Sequence, residues 1–85
     1  MKDNKYLYRE FLRKKIYHFR ISHSYTQEKM AELIHVEPRS YLEQEHGKYG
    51  FSAYTLLFYL SVLPENEILK FLEEFRQFQE RVEEE

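Results

Sequence analysis

The chain has 85 residues and a formal net charge of −2 at pH 7. A chain of this length forms one domain, because compact domains usually run to about 100–150 residues and a second core would not fit. With 2 Gly, 2 Pro and no cysteine, the composition favours long helices over a many-turned β sandwich, and it excludes a disulfide framework and thiolate chemistry.

Two features of the sequence argue against secretion and against a membrane anchor. The first 15 residues are rich in charge and contain no apolar signal core. The most apolar stretch, Phe51 to Leu63, is well short of the about 20 residues needed to cross a membrane. We therefore expect a cytoplasmic protein without membrane contact.

Charge is distributed unevenly along the chain, with bases concentrated near its start and acids near its end. This asymmetry can present a basic face to a polyanion while the acidic end points away. Two solvated helices of opposite charge are the simpler explanation, and the charge distribution alone leaves both interpretations open.

The first predicted helix covers about residues 4–21. Its apolar side chains recur at steps of three and four residues, which places them on one face: Leu7, Phe11, Leu12, Ile16 and Phe19. After a break at residues 22–24, Thr26 is a good N-cap for a second helix that begins at Gln27. The side chains predicted to be buried in this second helix are Met30, Ala31, Leu33 and Ile34.

A third, short helix is predicted from about Pro38 to Glu45, because proline is favoured in the first helical turn. Gly47 follows where the end of a helix favours a residue that tolerates positive φ. Ser52 is the predicted N-cap of a fourth helix, Ala53 to Leu63, which is apolar nearly all round and is therefore expected at the centre of the fold.

A heptad-like stripe runs along the last predicted helix, about residues 65–83. Its members step by three and four residues: Ile68, Phe71, Phe75, Phe78 and Val82. Such a stripe packs either on its own domain or on a second copy. Because it extends beyond what a core of this size needs, it is a candidate for joining two subunits in a homodimer.

These elements predict an all-α, five-helix domain over residues 1–85, with a core at about 7–63. The second and third helices are joined by a short turn, as in a helix-turn-helix. In that arrangement the second helix of the pair can enter the DNA major groove.

The residues of the helix pair are more specific than its geometry. They read Thr26-Gln27-Glu28-Lys29-Met30-Ala31-Glu32-Leu33-Ile34, then Val36, then Pro38-Arg39-Ser40-Tyr41, then Glu45-His46-Gly47-Lys48. This segment resembles the phage-repressor and Cro-type (XRE-like) helix-turn-helix family, whose pattern is Ser/Thr-Gln-Glu-x-Leu-Ala-x-x-Leu-Gly-Val-Ser-x-x-x-Ile-x-x-x-Glu-x-Gly-Lys. The resemblance runs without a gap from about Ile16 to Leu63, which is over half the chain.

The resemblance implies a sequence-specific, double-stranded DNA-binding transcriptional regulator, dimeric on a two-fold symmetric site. By position, the residues that would contact DNA are Thr26, Gln27, Glu37, Pro38, Arg39, Ser40, Glu43, Lys48 and Tyr49. Arg39 is the candidate for reading guanine, because one guanidinium can bond O6 and N7 together. Lys48 and Tyr49 suit phosphate contacts, and Gln27 can address a phosphate from the first turn of its helix. Three bases of the first helix, Lys14, Lys15 and Arg20, can add to the basic field.

Several positions depart from the family pattern. His35 stands where the family usually has Gly, so the turn is expected to be strained or reshaped. Gln44 stands where the family has an inward Leu or Ile; we expect a buried, hydrogen-bonded amide rather than a rotated helix, because Tyr41 and Val36 keep the register.

The third helix is also acidic, with Glu37, Glu43 and Glu45 against the single base Arg39. This predicts modest, strongly salt-dependent DNA binding. It also keeps open an alternative function, a protein-interaction module of the antitoxin or antirepressor type. A third possibility is an assembly role for the last helix, with the helix-turn-helix incidental.

No other chemistry is indicated. The four histidines have no cysteine partners and no His-x-x-x-His spacing, so no metal site is expected. No nucleophile, base and orienting group can be assembled, so we expect neither an enzyme nor a cofactor.

Overall fold

Five α-helices make up most of residues 4–84, the part of the chain that the computed structural model describes, and no strand occurs there. In chain order they are α1 (Lys5–Ser22), α2 (Gln27–Leu33), α3 (Pro38–Glu45), α4 (Ala53–Ser61) and α5 (Glu65–Glu84). The predicted all-α, five-helix architecture is confirmed. Residues 1–3 and residue 85 lie outside the described part.

Side-chain caps begin α2 and α4, as the sequence predicts. Thr26 Oγ1 accepts a hydrogen bond from the Lys29 N–H at 3.0 Å, and Ser52 Oγ accepts one from the Thr55 N–H at 3.2 Å. Each cap satisfies a backbone N–H that has no partner within its helix.

The first three helices end in the same way, each followed by a residue in the left-handed region. These residues are Ser24 (φ 56°), His35 (φ 59°) and Gly47 (φ 85°). After α3, the Gly47 N–H bonds the Gln44 carbonyl at 3.0 Å and the Lys48 N–H bonds the Glu43 carbonyl at 2.9 Å, which is a Schellman motif. The chain therefore reverses sharply after each helix, and α1, α2 and α3 contribute to one core.

The core contains one residue from α1, three from α2 and its C-cap, one from α3 and one from α4. They are Ile16, Met30, Ala31, Ile34, Tyr41 and Tyr59. All are fully buried except Tyr59, which is 3% exposed. Burial raises the pKa of Tyr59 to about 12, so its phenol stays protonated and donates to the Lys15 carbonyl.

Helix α4 is shorter than the sequence predicts, because it ends at Ser61 and not at Leu63. A residue that precedes a proline is disfavoured in the helical region, and Leu63 precedes Pro64. The N–H groups of Val62 and Leu63 bond carbonyls three residues back, both at 3.2 Å, so the helix tightens as it ends.

The prediction that α4 lies at the centre of the fold is wrong. One face is buried through Thr55 and Tyr59, whereas Tyr54 and Leu57 on another face are 61% and 67% exposed. An apolar helix need not be enclosed on all sides, and in this small domain no layer covers the second face within residues 4–84.

The apolar stripe on α5 packs against α1 of the same chain. The Phe11 ring centroid lies 5.7, 5.4 and 5.0 Å from those of Phe71, Phe75 and Phe78. Tyr8 lies 5.8 Å from both Phe75 and Phe78. Such tilted and edge contacts each contribute about 0.5–1.5 kcal/mol beyond the area they bury.

These contacts show that the stripe, Ile68, Phe71, Phe75, Phe78 and Val82, packs on its own chain, which is one of the two uses that its spacing left open; its use as a dimer contact stays a prediction. The three phenylalanines contact α1 and are half-buried, as is Ile68, and Val82 is 7% exposed. Heptad spacing could not separate the two uses, because packing within a chain and packing between chains bury the same stripe.

Candidate nucleic-acid interface

Helices α2 and α3 are joined by a turn whose backbone requires a left-handed residue. His35 occupies that position at φ 59°, and the Val36 N–H returns to the Ala31 carbonyl at 2.9 Å. The expected strain at His35 is therefore present, since residues other than glycine seldom adopt positive φ. The His35 ring also stacks on Phe58, with centroids 3.8 Å apart, which ties the turn to α4.

Helix α3 has a buried side and an outward side. Tyr41 and Glu45, one turn apart, are buried at 0% and 6% exposure. On the other side lie the predicted DNA-contacting residues of this helix, of which Glu37, Pro38, Arg39 and Ser40 are exposed and Glu43 is half-buried. The inward register expected from Tyr41 and Val36 is therefore present.

A groove of about 320 Å³ runs beside this outward side. It brings together the start of α3 and the loop that follows it, and it is lined by Glu37, Arg39, Ser40, Glu43, Gln44 and Tyr49. Within residues 4–84, the side chains of Arg39, Ser40 and Glu43 make no hydrogen bond or ion pair with the protein. They are therefore free to bond another molecule.

Lys48 and Tyr49 lie just after α3 and are both exposed. The Lys48 ammonium lies 5.6 Å from the centroid of the Tyr49 ring, at cation–π distance. The contact positions a positive charge beside the groove without neutralising it.

The other two predicted residues, Thr26 and Gln27, are not brought into this groove. Thr26 is exposed, and its hydroxyl oxygen caps α2. Gln27 is half-buried, and its Nε2 donates to Glu45 Oε1 at 2.9 Å. Its amide is thus held by Glu45, at a second surface groove of about 610 Å³ that is lined by α1 and the end of α3.

An ion pair that sequence reasoning missed fixes α3 to α1. Arg20 donates from Nε to Glu45 Oε2 at 2.7 Å and from Nη2 to Glu45 Oε1 at 2.8 Å. The Tyr41 hydroxyl donates to the same carboxylate. The side chains of Arg20 and Glu45 are only 14% and 5% exposed, so both charges depend on each other for solvation.

The pKa values of this cluster follow from its contacts. Burial acts to raise the pKa of Glu45, but the hydrogen bonds from Arg20, Tyr41 and Gln27 outweigh it and the pKa lies below its ordinary value. Burial and the adjacent carboxylate raise the pKa of Tyr41, so its phenol remains a donor. A signal for the pair was present in the sequence, since Glu45 follows the buried Tyr41 by one helical turn and a buried carboxylate needs a partner.

The ion pair changes the charge expected for the interface. Because Glu45 is turned inward and paired, the outward side of α3 carries two acids, Glu37 and Glu43, against Arg39, and not three. Two of the bases expected to add to the basic field also form ion pairs within the chain, Arg20 with Glu45 and Lys15 with Glu74. Of those three bases, Lys14 alone stays exposed without an ion pair within residues 4–84.

Gln44 is half-buried, and its amide is only partly satisfied. Nε2 donates to the Gly50 carbonyl at 3.3 Å, whereas the buried Oε1 has no partner within the described chain. Leu42, which stands where the family has a polar residue, is 40% exposed. Helix α3 therefore keeps the orientation expected from Tyr41 and Val36. The glutamine at position 44, where the family has Leu or Ile, leaves one buried oxygen without a hydrogen-bond partner within the described chain.

Comparisons with family models, with curated proteins and with solved structures each find no match to this chain. Among residues 4–84, no cluster of three His, Cys, Asp or Glu side chains could hold a metal ion. No helix in the same range is both long and apolar enough to span a membrane.

Proposed function

We propose that this chain binds double-stranded DNA sequence-specifically, with α3 in the major groove, and acts as a transcriptional regulator. The observation that carries the proposal is the outward side of α3, where Arg39 and Ser40 are exposed and unpaired on a helix whose other side is anchored in the core. The resemblance of residues 16–63 to phage-repressor and Cro-type proteins supports the same reading.

The dimensions of α3 suit this role. An α-helix with its side chains is about 10–12 Å across, and the major groove of B-DNA is about 12 Å wide. Because the Arg20–Glu45 ion pair and the buried Tyr41 fix α3 from behind, its outward side chains can enter a groove without the helix losing its support.

Each outward residue has a chemical role in this proposal. Arg39 donates two hydrogen bonds to guanine, and Ser40 bonds either a phosphate or a base edge. Glu43 accepts from the amino group of cytosine. Lys48 and Tyr49, beside the groove, contact the phosphate backbone and set the register without reading bases.

The charge of the interface limits the affinity. Few bases face the groove, and Glu37 and Glu43 repel phosphates, which weakens the electrostatic attraction that supplies much of the affinity for DNA. We expect modest binding whose sequence preference comes chiefly from Arg39 and Glu43.

The experiment is selection of bound duplexes from a randomised library at two salt concentrations, with the native chain, with Arg39→Ala and with Arg81→Ala. The third chain is the matched control, because it loses the same charge from an exposed position on α5. We expect a symmetric motif from the native and control chains, and loss of a guanine preference with Arg39→Ala. Recovery of no motif at either salt concentration overturns the proposal.

A protein-interaction module is the second candidate, and one observation favours it. Tyr54 and Leu57 form an exposed apolar face on α4, beside the His35–Phe58 stack. Exposed apolar faces of this kind occur at protein contacts. Failure of the DNA selection together with co-purification of a defined protein partner would favour this function.

A further inference from the structure

Three arginines of α1 lie on the side of the helix that faces α3 and the loop after it. Arg9, Arg13 and Arg20 repeat at steps of four and seven residues, which places them on one face. Arg20 pairs with the Glu45 carboxylate. Arg13 pairs with Glu10 and also donates to the Glu45 carbonyl at 3.1 Å. Arg9 makes no hydrogen bond or ion pair within residues 4–84, so its guanidinium alone is unused on this face.

Arg9 approaches the loop between α3 and α4 at a residue that has no side chain. Its Nε lies 2.8 Å from the point that a Cβ on Gly50 would occupy, and its Cζ lies 3.4 Å from the same point. Glycine lets the guanidinium come this close to the loop backbone. The charge of Arg9 therefore lies beside the loop that follows α3, although Arg9 belongs to the first helix and is itself exposed.

Tyr49 connects Arg9 to the groove beside α3. Arg9, Tyr49 and Gly50 line one small cleft of about 40 Å³. Tyr49 also lines the groove of about 320 Å³ that Arg39 lines. The Lys48 ammonium lies 5.6 Å from the centroid of the Tyr49 ring. Two cations without ion pairs within residues 4–84, Arg9 and Lys48, therefore border one aromatic ring at the edge of the proposed DNA interface.

We propose that Arg9 binds a backbone phosphate of double-stranded DNA beside Lys48, so that α1 contributes to the DNA interface. The inference rests on the proposed function, and it extends the interface beyond residues 16–63, which carry the family resemblance. A guanidinium suits this contact because its planar N–H groups match two phosphate oxygens. Phosphate contacts carry no sequence information, so Arg9 helps to fix the position of α3 on the duplex and does not read bases.

Arg9 also decides the sign of the charge at the interface. The outward side of α3 and the residue after Gly47 carry two acids, Glu37 and Glu43, and two bases, Arg39 and Lys48. Without Arg9 these charges balance, whereas with it there are three bases against two acids. A net positive surface attracts a polyanion, so Arg9 supplies the charge that the acidic side of α3 lacks.

The test measures duplex binding against salt concentration, because each phosphate contact adds about 0.9 to the slope of log affinity against log salt. Fluorescence anisotropy follows two labelled duplexes, one of random sequence and one that carries the motif selected by the native chain. The proteins are the native chain, Arg9→Gln, Arg9→Lys and Arg76→Gln. The last is the matched control, because Arg76 is exposed on α5, which packs on another face of α1.

We expect Arg9→Gln to bind both duplexes on the order of tenfold more weakly at low salt, with a salt slope less steep by about 0.9 for each bound chain. The loss should be equal on the two duplexes, because a phosphate contact does not depend on sequence. Arg9→Lys keeps the charge and should keep the native slope. Arg76→Gln should bind as the native chain does. Circular dichroism checks that all variants fold, which their exposed positions predict.

The outcomes separate this inference from the DNA-binding proposal. A native chain that binds neither duplex at low salt overturns both. If the native chain binds and Arg9→Gln matches Arg76→Gln in affinity and slope, the phosphate contact alone is overturned. A loss without a change in slope overturns it as well, because a structural role leaves the number of phosphate contacts unchanged. A loss confined to the motif duplex does the same, because Arg9 would then read bases.

Discussion

Arg20 and Glu45, which lie 25 residues apart in the sequence, form a bidentate ion pair between α1 and α3, with nitrogen–oxygen distances of 2.7 and 2.8 Å. The pair ties α3 to α1. It also removes one acid from the surface proposed to meet DNA.

Removing one partner of this pair is expected to be costly. Glu45→Ala leaves the half-buried Arg20 guanidinium without its counter-charge and the Tyr41 hydroxyl without its acceptor, and we expect a loss of about 1.5–3 kcal/mol in the free energy of unfolding. Urea denaturation measures the loss. The matched control is Glu43→Ala, two positions earlier on the outward side, which should change stability by no more than about 0.5 kcal/mol. Equal losses for the two variants would show that the ion pair does not hold α3.

The same carboxylate makes stability depend on pH. Because the pKa of Glu45 is lowered in the folded chain, the unfolded chain binds that proton more readily. The stabilisation from Glu45 is complete at pH values above its pKa in the unfolded chain, whose ordinary value is 4.5. It is lost as the pH falls below 4.5 and through the lower pKa of Glu45 in the folded chain. We expect the native chain to lose more free energy of unfolding than Glu45→Gln over this acid range.

The hydrogen bond from Arg13 also lowers the pKa of Glu10, which adds to the acid loss in both chains. The readout is therefore the difference between the two pH profiles, measured by denaturation at each pH. Parallel profiles for the native chain and Glu45→Gln would contradict the role given to Glu45.

The turn between α2 and α3 gives a prediction about backbone strain. His35 has φ 59° and also stacks on Phe58, so its replacement has two opposing effects. His35→Gly loses the stacking and relieves the strain, whereas His35→Ala loses the stacking and keeps the strain. We expect the Gly variant to be more stable than the Ala variant by about 1 kcal/mol in thermal or urea unfolding. An Ala variant as stable as the Gly variant would mean that the backbone at this turn is not left-handed in solution.

Gln44 gives a prediction in the stabilising direction. Its buried Oε1 has no partner within residues 4–84, and its Nε2 bond to the Gly50 carbonyl is long at 3.3 Å. Gln44→Leu removes an unsatisfied polar atom and adds apolar contact, so we expect the free energy of unfolding to rise by about 1 kcal/mol. A drop in melting temperature would show that the amide is satisfied and needed.

Much of the fold could be predicted from the sequence, because its helix limits depend on local chemistry. Thr26 and Ser52 are caps, Pro38 stands at the start of α3, and Gly47 stands where positive φ is required. Each of these signals acts within a few residues, so it can be read without knowledge of the tertiary structure. The exception is the end of α4, because Pro64 disfavours the helical region for Leu63 and the helix ends at Ser61.

Features that depend on contacts between distant residues could not be predicted in the same way. The spacing of Phe71, Phe75 and Phe78 shows that they share a face of α5 but not that Phe11 of α1 covers it. Likewise, the sequence shows that Arg20 and Glu45 carry opposite charges, but it does not show that the two side chains contact each other. The outward residues of α3 were predictable because they follow from one buried position, Tyr41, and the helical period.

The most direct test of the proposed function is an amide NMR titration of the isotope-labelled chain with a DNA duplex at low salt. We predict the largest shifts at Arg39, Ser40 and Glu43 of α3 and at Lys48 and Tyr49 after it, all reversed by added salt. The amides around Arg81 on α5 should stay unchanged. No shifts on addition of duplex, or shifts concentrated on α4 and α5, would contradict DNA binding through the outward side of α3.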